Sequence, residues 1–144
     1  MSVTVLIVVA FVVASSSRDD AVREAAFREA LRVVKDERPA APLRCLALEN
    51  EADPSRAMLE RLARHTGLKL FPYSECMRRG LLRAQLGSLE GPRDLVALQA
   101  IRWRAKQTAE LTFRILGGTA AIEVTRNRKG RGWKAACCSG GIIG

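Results

Sequence analysis

Histidine is almost absent from this sequence, in which His65 is the only one among 144 residues. A Ser-His or Cys-His nucleophile pair would have to use His65, and no motif brings it near a cysteine. The four cysteines show no Cys-x-x-Cys spacing, so no pattern typical of a zinc site is present. His65 falls late in a predicted helix, where the helix dipole favours a cation. The sequence predicts no metal site and no cofactor, and it favours a non-enzymatic protein.

Charged side chains are missing from residues 1–17, where Val3 to Ala14 form an almost unbroken apolar run. A run of about a dozen residues is shorter than the roughly 20 needed to cross a bilayer, but it is typical of a secretory signal peptide. Val12 and Ala14 fit the small-residue rule for cleavage after Ala14, although no Lys or Arg precedes the run. We expect a signal peptide over 1–17, a single domain over 18–144, and a periplasmic or secreted protein.

The same run has a second interpretation. Val3–Val13 is rich in valine and could be a buried strand that leads through a Ser-rich loop into a helix. The protein would then be cytoplasmic. The length of the run favours export over this alternative.

Helical periodicity begins after the run. Apolar residues recur at i, i+3, i+4 and i+7 between Asp19 and Lys35, namely at Phe27, Ala30, Leu31 and Val34. Arg44 to Glu49 is typical of a short strand, and Asp53-Pro54-Ser55 of a helix start with Asp53 as the N-cap. Gly67 is placed to end that helix.

The rest of the chain is dominated by β-compatible runs. Pro72 restricts Leu68–Tyr73 to a sheet edge, and Glu75–Gly91 is interpreted as a loop with one helical turn. Four short runs follow, with turn residues between them: Leu95–Trp103, Ala109–Leu116, Ala120–Thr125 and Trp133–Cys138. Their close spacing requires antiparallel neighbours. The predicted fold class is α+β, with N-terminal helices packed on a curved antiparallel sheet of about four to five strands.

Four cysteines in an exported chain favour disulfides. We prefer a Cys45–Cys76 bridge, because it would tie the first strand to the segment after the second helix. Cys137 and Cys138 are neighbours on a strand, so only one can face the core, and a bridge between them would be strained. Their pairing stays open, and buried free thiols are the alternative for all four.

Three motifs resemble a group of uncharacterised small secreted bacterial α+β proteins. They are Cys45–Leu48 followed by Asp53-Pro54-Ser55, then Ser74-Glu75-Cys76, then the hairpin 128–134 with a Trp before a Gly-Gly ending. The resemblance implies an exported α+β domain and no known activity. Helices followed by a Trp-bearing hairpin are also similar to nuclear transport factor 2-like domains, whose curved sheet forms a pocket. That family predicts Phe113, Ile115 and Trp103 facing inward around a buried polar group.

The formal net charge of +9 favours a polyanionic partner such as nucleic acid, anionic lipid or acidic polysaccharide. Cations crowd one predicted turn, beside Trp133: Arg126, Arg128, Lys129, Arg131 and Lys134. Further basic residues flank Trp103 on a neighbouring hairpin, at Arg102, Arg104 and Lys106. Cationic loops with an adjacent aromatic can hold phosphates and stack bases, although a solvated turn with Trp133 in the core gives the same pattern.

Three functions therefore follow from the sequence. The first is an exported non-enzymatic domain with a binding or structural role. The second is a pocket domain similar to nuclear transport factor 2 that binds or converts a small ligand. The third is a cytoplasmic nucleic-acid-binding module that uses the 126–134 hairpin.

Overall fold

The computed structural model describes residues 2–40, 43–82, 93–138 and 141–143, with side chains from residue 17 onward. It contains a helical layer and a sheet. The three helices are α1 (Ser2–Glu37), α2 (Arg56–Thr66) and α3 (Tyr73–Arg79). The six strands are β1 (Arg44–Ala47), β2 (Leu70–Pro72), β3 (Leu95–Ala105), β4 (Thr108–Ile115), β5 (Gly118–Arg126) and β6 (Trp133–Cys137).

The sheet has six strands in the order β2-β1-β3-β4-β5-β6. The α+β class is confirmed, but the expectation of four to five antiparallel strands is corrected, because β2, β1 and β3 are parallel. The chain leaves β1, crosses through α2 and returns as β2, and such a crossover gives parallel neighbours. The last three pairings are antiparallel, as the short connections require.

Helix α1 packs its apolar stripe on the sheet. Phe27, Leu31 and Val34 are fully buried there, as the periodicity predicts. The Phe27 ring packs edge-on against Phe113 of β4, with ring centroids 5.0 Å apart. The alternation in β4 is confirmed too, because Leu111, Phe113 and Ile115 are buried. The core therefore lies between α1 and the meander.

The helix extends further towards the N-terminus than the periodicity indicated. The backbone of Val3–Val13 is helical and continuous with the packed part of α1, so it is not the strand of the alternative interpretation. No helix described with its side chains combines the length and the apolar character that crossing a bilayer requires.

The start of α2 differs from the prediction. Ser55 is the N-cap, and its side chain accepts a hydrogen bond from the Met58 amide. The carboxylate of Asp53 instead accepts hydrogen bonds from the backbone amide of Ser74, at 2.9 Å, and from the Ser74 hydroxyl. Asp53 thus tethers the first turn of α3, where a negative charge stabilises the helix dipole. Gly67 ends α2 with φ of 72°, as predicted.

Cys45 and Cys76 are disulfide-bonded, with Cα atoms 6.2 Å apart, within the range that a disulfide spans. Both are fully buried in a small second core with Leu82 and Leu95. The bridge joins β1 to α3, which is the connection preferred from the sequence. It fixes the short parallel edge of the sheet to α3, which packs on the face opposite the helical layer of α1 and α2, because Leu46, between Cys45 and Ala47, belongs to the main core instead. Of the predicted loop 75–91, the part from 83 onward lies outside the described residues.

A buried ion pair lies beside this edge and was not predicted. Arg44 is fully buried, and its guanidinium lies 3.7 Å from the carboxylate of Asp94. It also donates to the backbone carbonyl oxygen of Arg38, at 2.7 Å. Burial lowers the pKa of Arg44, and the positive charge of the neighbouring Arg38 lowers it further. The negative charge of Asp94 acts in the opposite direction and raises the pKa of Arg44. Asp94 therefore compensates a charge that has no access to water.

Candidate functional site

The candidate site is the end of the sheet where two hairpins meet. The β3–β4 and β5–β6 turns lie at the same end, because all these strands alternate in direction. The Arg126 amide donates to the Gln107 carbonyl oxygen at 3.0 Å, which fixes one turn against the other. We call the cations of these turns the basic end: Lys106, Arg126, Arg128, Lys129, Arg131 and Lys134.

A tryptophan pair lies on the helix-facing side of this end. Trp103 and Trp133 pack edge-on with ring centroids 5.7 Å apart. Arg126 is directly opposite Trp133 in the sheet register, and its guanidinium lies 5.2 Å from that ring. On the other side, the guanidinium of Arg18 in α1 lies 4.0 Å from the Trp103 ring. Both distances are within the reach of a cation–π interaction.

Both tryptophans are half-buried and pack against the edge of the main core. Trp133 therefore packs partly in the core, as one of the two interpretations of the sequence predicted. One side of the tryptophan pair is in contact with cations and solvent. The two tryptophans lie between two arginines, in the order Arg18, Trp103, Trp133, Arg126. Such an arrangement offers apolar surface and positive charge to the same ligand.

The opposite side of this end carries a polar groove of about 410 Å³. Thr108, Thr125 and Lys134 lie in one cross-strand row, and all three line the groove. The other lining residues are also polar: Gln107, Arg126, Asn127 and Arg128. Hydroxyl, amide and cationic groups of this kind are those that proteins use to contact phosphate oxygens.

The basic end carries no carboxylate of its own. Within the described part of the chain, none of its cations lies within 4.0 Å of an Asp or Glu oxygen. By contrast, Glu110 on β4 pairs with Arg102 and Arg104. Those two arginines therefore project from the neighbouring hairpin, as expected, but their charge is compensated. The positive potential of this region comes from the turns.

A second groove, of about 440 Å³, runs between α1, the end of α2 and β6. It contains His65 together with Arg32, Lys35 and Trp133. The cations of this groove already have partners within the protein. Arg32 pairs with Glu29 and Asp36, and Lys35 donates a hydrogen bond to the Thr66 carbonyl oxygen. This groove is less suited to an anion than the basic end. His65 lies at the end of α2, as predicted.

The remaining predicted residues lie elsewhere. Phe113 and Ile115 face inward but are fully buried beneath α1, and with Trp103 they line neither of the two grooves. Cys137 and Cys138 form a second cysteine pair at disulfide distance, and the Cys137 amide donates to Glu29 at 3.3 Å. No group of three potential metal ligands occurs among the described residues.

Sequence reasoning missed several residues of the site: Arg18 beside the tryptophan pair, and Gln107, Thr108 and Thr125 in the polar groove. Arg18 lies 85 positions before Trp103, and only its place as the first charged residue after the apolar run marks it out. No family model matches the chain, and no curated protein or solved structure shows significant similarity to it.

Proposed function

We propose that this protein is an exported, non-enzymatic domain that binds a polyanion through the basic end and the tryptophan pair. The observation that carries the proposal is the concentration of cations on two adjoining turns that hold no carboxylate. A surface of this kind concentrates anionic groups and releases their counterions on binding.

Export is supported by the cysteines. The described residues contain no free cysteine, and the Cys45–Cys76 disulfide is buried in a core between β1 and α3. Disulfides of this structural kind persist in oxidising compartments. The apolar run Val3–Ala14 supplies the sequence that would direct the chain there.

Compartment and thiol state are tested by the intact mass of the protein from a bacterial host, with and without reductant and alkylation. We expect the protein outside the cytoplasm, with its cysteines protected until they are reduced. A cytoplasmic chain with four alkylatable thiols would contradict export and would favour the nucleic-acid-binding alternative.

Binding is tested by titration with heparin, double-stranded DNA and phosphatidylglycerol vesicles over a range of salt concentrations. The decisive variant carries Arg128→Glu with Arg131→Glu. A matched control carries Arg56→Glu with Arg64→Glu, which makes the same change of charge on the exposed surface of α2.

We expect the hairpin variant to lose affinity and the control to keep it. With DNA, the slope of log K against log salt should become shallower by about 2, since each lost phosphate contact accounts for about 0.9. Equal losses in both variants would indicate an effect of net charge alone. Binding that persists at high salt in the hairpin variant would exclude this surface.

A further inference from the structure

The apolar start of α1 and the basic end are joined in space by one residue. Arg18 is the first charged residue after the run Val3–Ala14, and it continues the same helix. Its guanidinium lies 4.0 Å from the Trp103 ring, and Trp103 contacts Trp133. The uncharged half of α1 therefore meets the folded domain at the tryptophan pair.

The run has the dimensions of a helix that enters a membrane without crossing it. Twelve residues at 1.5 Å each extend about 18 Å, against roughly 30 Å for the hydrocarbon core of a bilayer. Its residues are uncharged, and apart from Thr4 they are apolar. A helix of this length reaches through about one leaflet.

The chemistry around the base of this segment is that of a membrane interface. Tryptophan is enriched at the level of the lipid head groups, because its ring is apolar and its N–H is polar. Arginine and lysine near that level bind anionic head groups and gain from the negative surface potential. The basic end supplies these cations, and the tryptophan pair supplies the aromatic rings.

We infer that the polyanion is the surface of an anionic lipid bilayer, into which Val3–Ala14 inserts while the basic end binds phosphate head groups. This inference rests on the proposed polyanion-binding surface and adds the identity of its ligand. Nucleic acid or polysaccharide would occupy the basic end but would make no contact that uses the adjoining apolar helix.

The inference also requires that the run stays on the mature protein. The bond after Ala14, where the small-residue rule places cleavage, lies inside the continuous helix α1. The inference therefore predicts a full-length chain, anchored rather than released, and the intact mass of the exported protein decides this.

The experiment uses the full-length protein with sedimenting vesicles of phosphatidylcholine, with and without phosphatidylglycerol. The only two tryptophans of the chain are Trp103 and Trp133, so their fluorescence reports on this surface alone. We expect binding to the vesicles that contain phosphatidylglycerol, with quenching of the tryptophans by brominated lipid. Heparin and double-stranded DNA are titrated in parallel.

Two variants separate the contribution of the basic end to vesicle binding from that of the apolar run. Arg128→Glu with Arg131→Glu should weaken binding to anionic vesicles at least about 20-fold, since each cation near the surface strengthens binding about five-fold. Ile7→Gln with Phe11→Gln keeps charge and helix propensity but makes one side of the run polar. This variant should lose the vesicle binding that resists high salt and retain its binding to heparin. The control Arg56→Glu with Arg64→Glu should bind like the wild type.

The outcomes distinguish the two proposals. Binding to heparin or DNA without binding to anionic vesicles overturns the lipid inference and leaves the proposed function standing. An Ile7→Gln, Phe11→Gln variant that binds vesicles like the wild type also overturns it, as does a mature chain that begins at Ser15. No binding to any of these polyanions overturns both.

Discussion

The arginines of the helical layer and the cations of the basic end differ in their partners. Around α1 and α2, each of several arginines pairs with at least one carboxylate: Arg23, Arg28, Arg32, Arg56 and Arg61. On the two turns no described cation has such a partner. The same residue types thus form ion pairs in one region and stay without a carboxylate partner in the other. The net charge of +9 therefore does not show where an anion could bind, because that depends on which cations have carboxylate partners.

The largest expected effect follows from breaking the buried pair. Asp94→Ala leaves the charge of Arg44 uncompensated in the core, which should lower the free energy of unfolding by about 3–5 kcal/mol. Urea denaturation measures this loss. The double variant Asp94→Ala, Arg44→Met removes both charges and should recover part of it. A single variant within about 1 kcal/mol of the wild type would contradict the structure, given the usual cost of such changes.

A smaller effect is expected at a partly buried pair on α1. The Arg23 guanidinium donates to both carboxylate oxygens of Glu49, at 3.0 and 2.7 Å. Arg23→Met should cost about 1–2 kcal/mol, because Glu49 keeps a poorly solvated charge. Arg28→Met removes a more exposed pair and should cost less than about 1 kcal/mol in the same denaturation assay. Equal losses in the free energy of unfolding would show that burial does not determine how much these ion pairs contribute to stability.

Acid should weaken the helical layer in a defined way. The hydrogen bond from Arg32, with its charge and the Cys137 amide, lowers the pKa of Glu29 below 4.5. Burial is the largest single effect on the pKa of Glu49 and raises it, but the Arg23 hydrogen bond, a backbone hydrogen bond and the Arg23 charge together outweigh burial, so the net shift is again downward. These carboxylates stabilise the fold above pH 4.5, and that contribution is lost as the pH falls through their lowered pKa values.

The pH dependence is measured as the urea midpoint between neutral pH and pH 3. Glu29→Gln removes one of the two groups and should flatten the decline below about pH 4.5. An unchanged decline in this variant would assign the acid sensitivity to other carboxylates. The hairpin variant should follow the wild-type profile.

The smallest stability effect is expected at the basic end. Arg128→Glu with Arg131→Glu changes two exposed turn residues without described ion pairs, so the free energy of unfolding should stay within about 0.5 kcal/mol of the wild type. Thermal denaturation measures this in the absence of ligand. A marked destabilisation would mean that these cations support the hairpins rather than a ligand.

Sequence patterns were most informative where the structure depends on local rules. The spacing of Phe27, Leu31 and Val34 predicted the buried face of α1, and Gly67 predicted the end of α2. Alternation identified the buried residues of β4 for the same reason, since a strand presents successive side chains to opposite faces. The crowding of cations on the 126–134 turn was also visible in the sequence.

Local rules failed where two residues competed for one role. Asp53 and Ser55 both favour a helix N-cap, and the prediction chose Asp53 because Pro54 suits a first helical position. In the structure, the Asp53 carboxylate accepts a hydrogen bond from the Ser74 amide of α3, so Ser55 caps α2 instead. The strand β2 has only three residues and includes Pro72, so its pairing was uncertain until its parallel partner β1 was known.

The sequence by itself determined the α+β class and the basic turn, because each depends on spacing along the chain, and it favoured the Cys45–Cys76 pairing, which the structure then showed. The tertiary structure decided that six strands form a mixed sheet and that Arg18 meets Trp103. It also decided which cations lack a carboxylate, because ion pairs such as Arg23–Glu49 join residues far apart in sequence. Local patterns carry no information about such contacts, which arise only when the helical layer packs on the sheet.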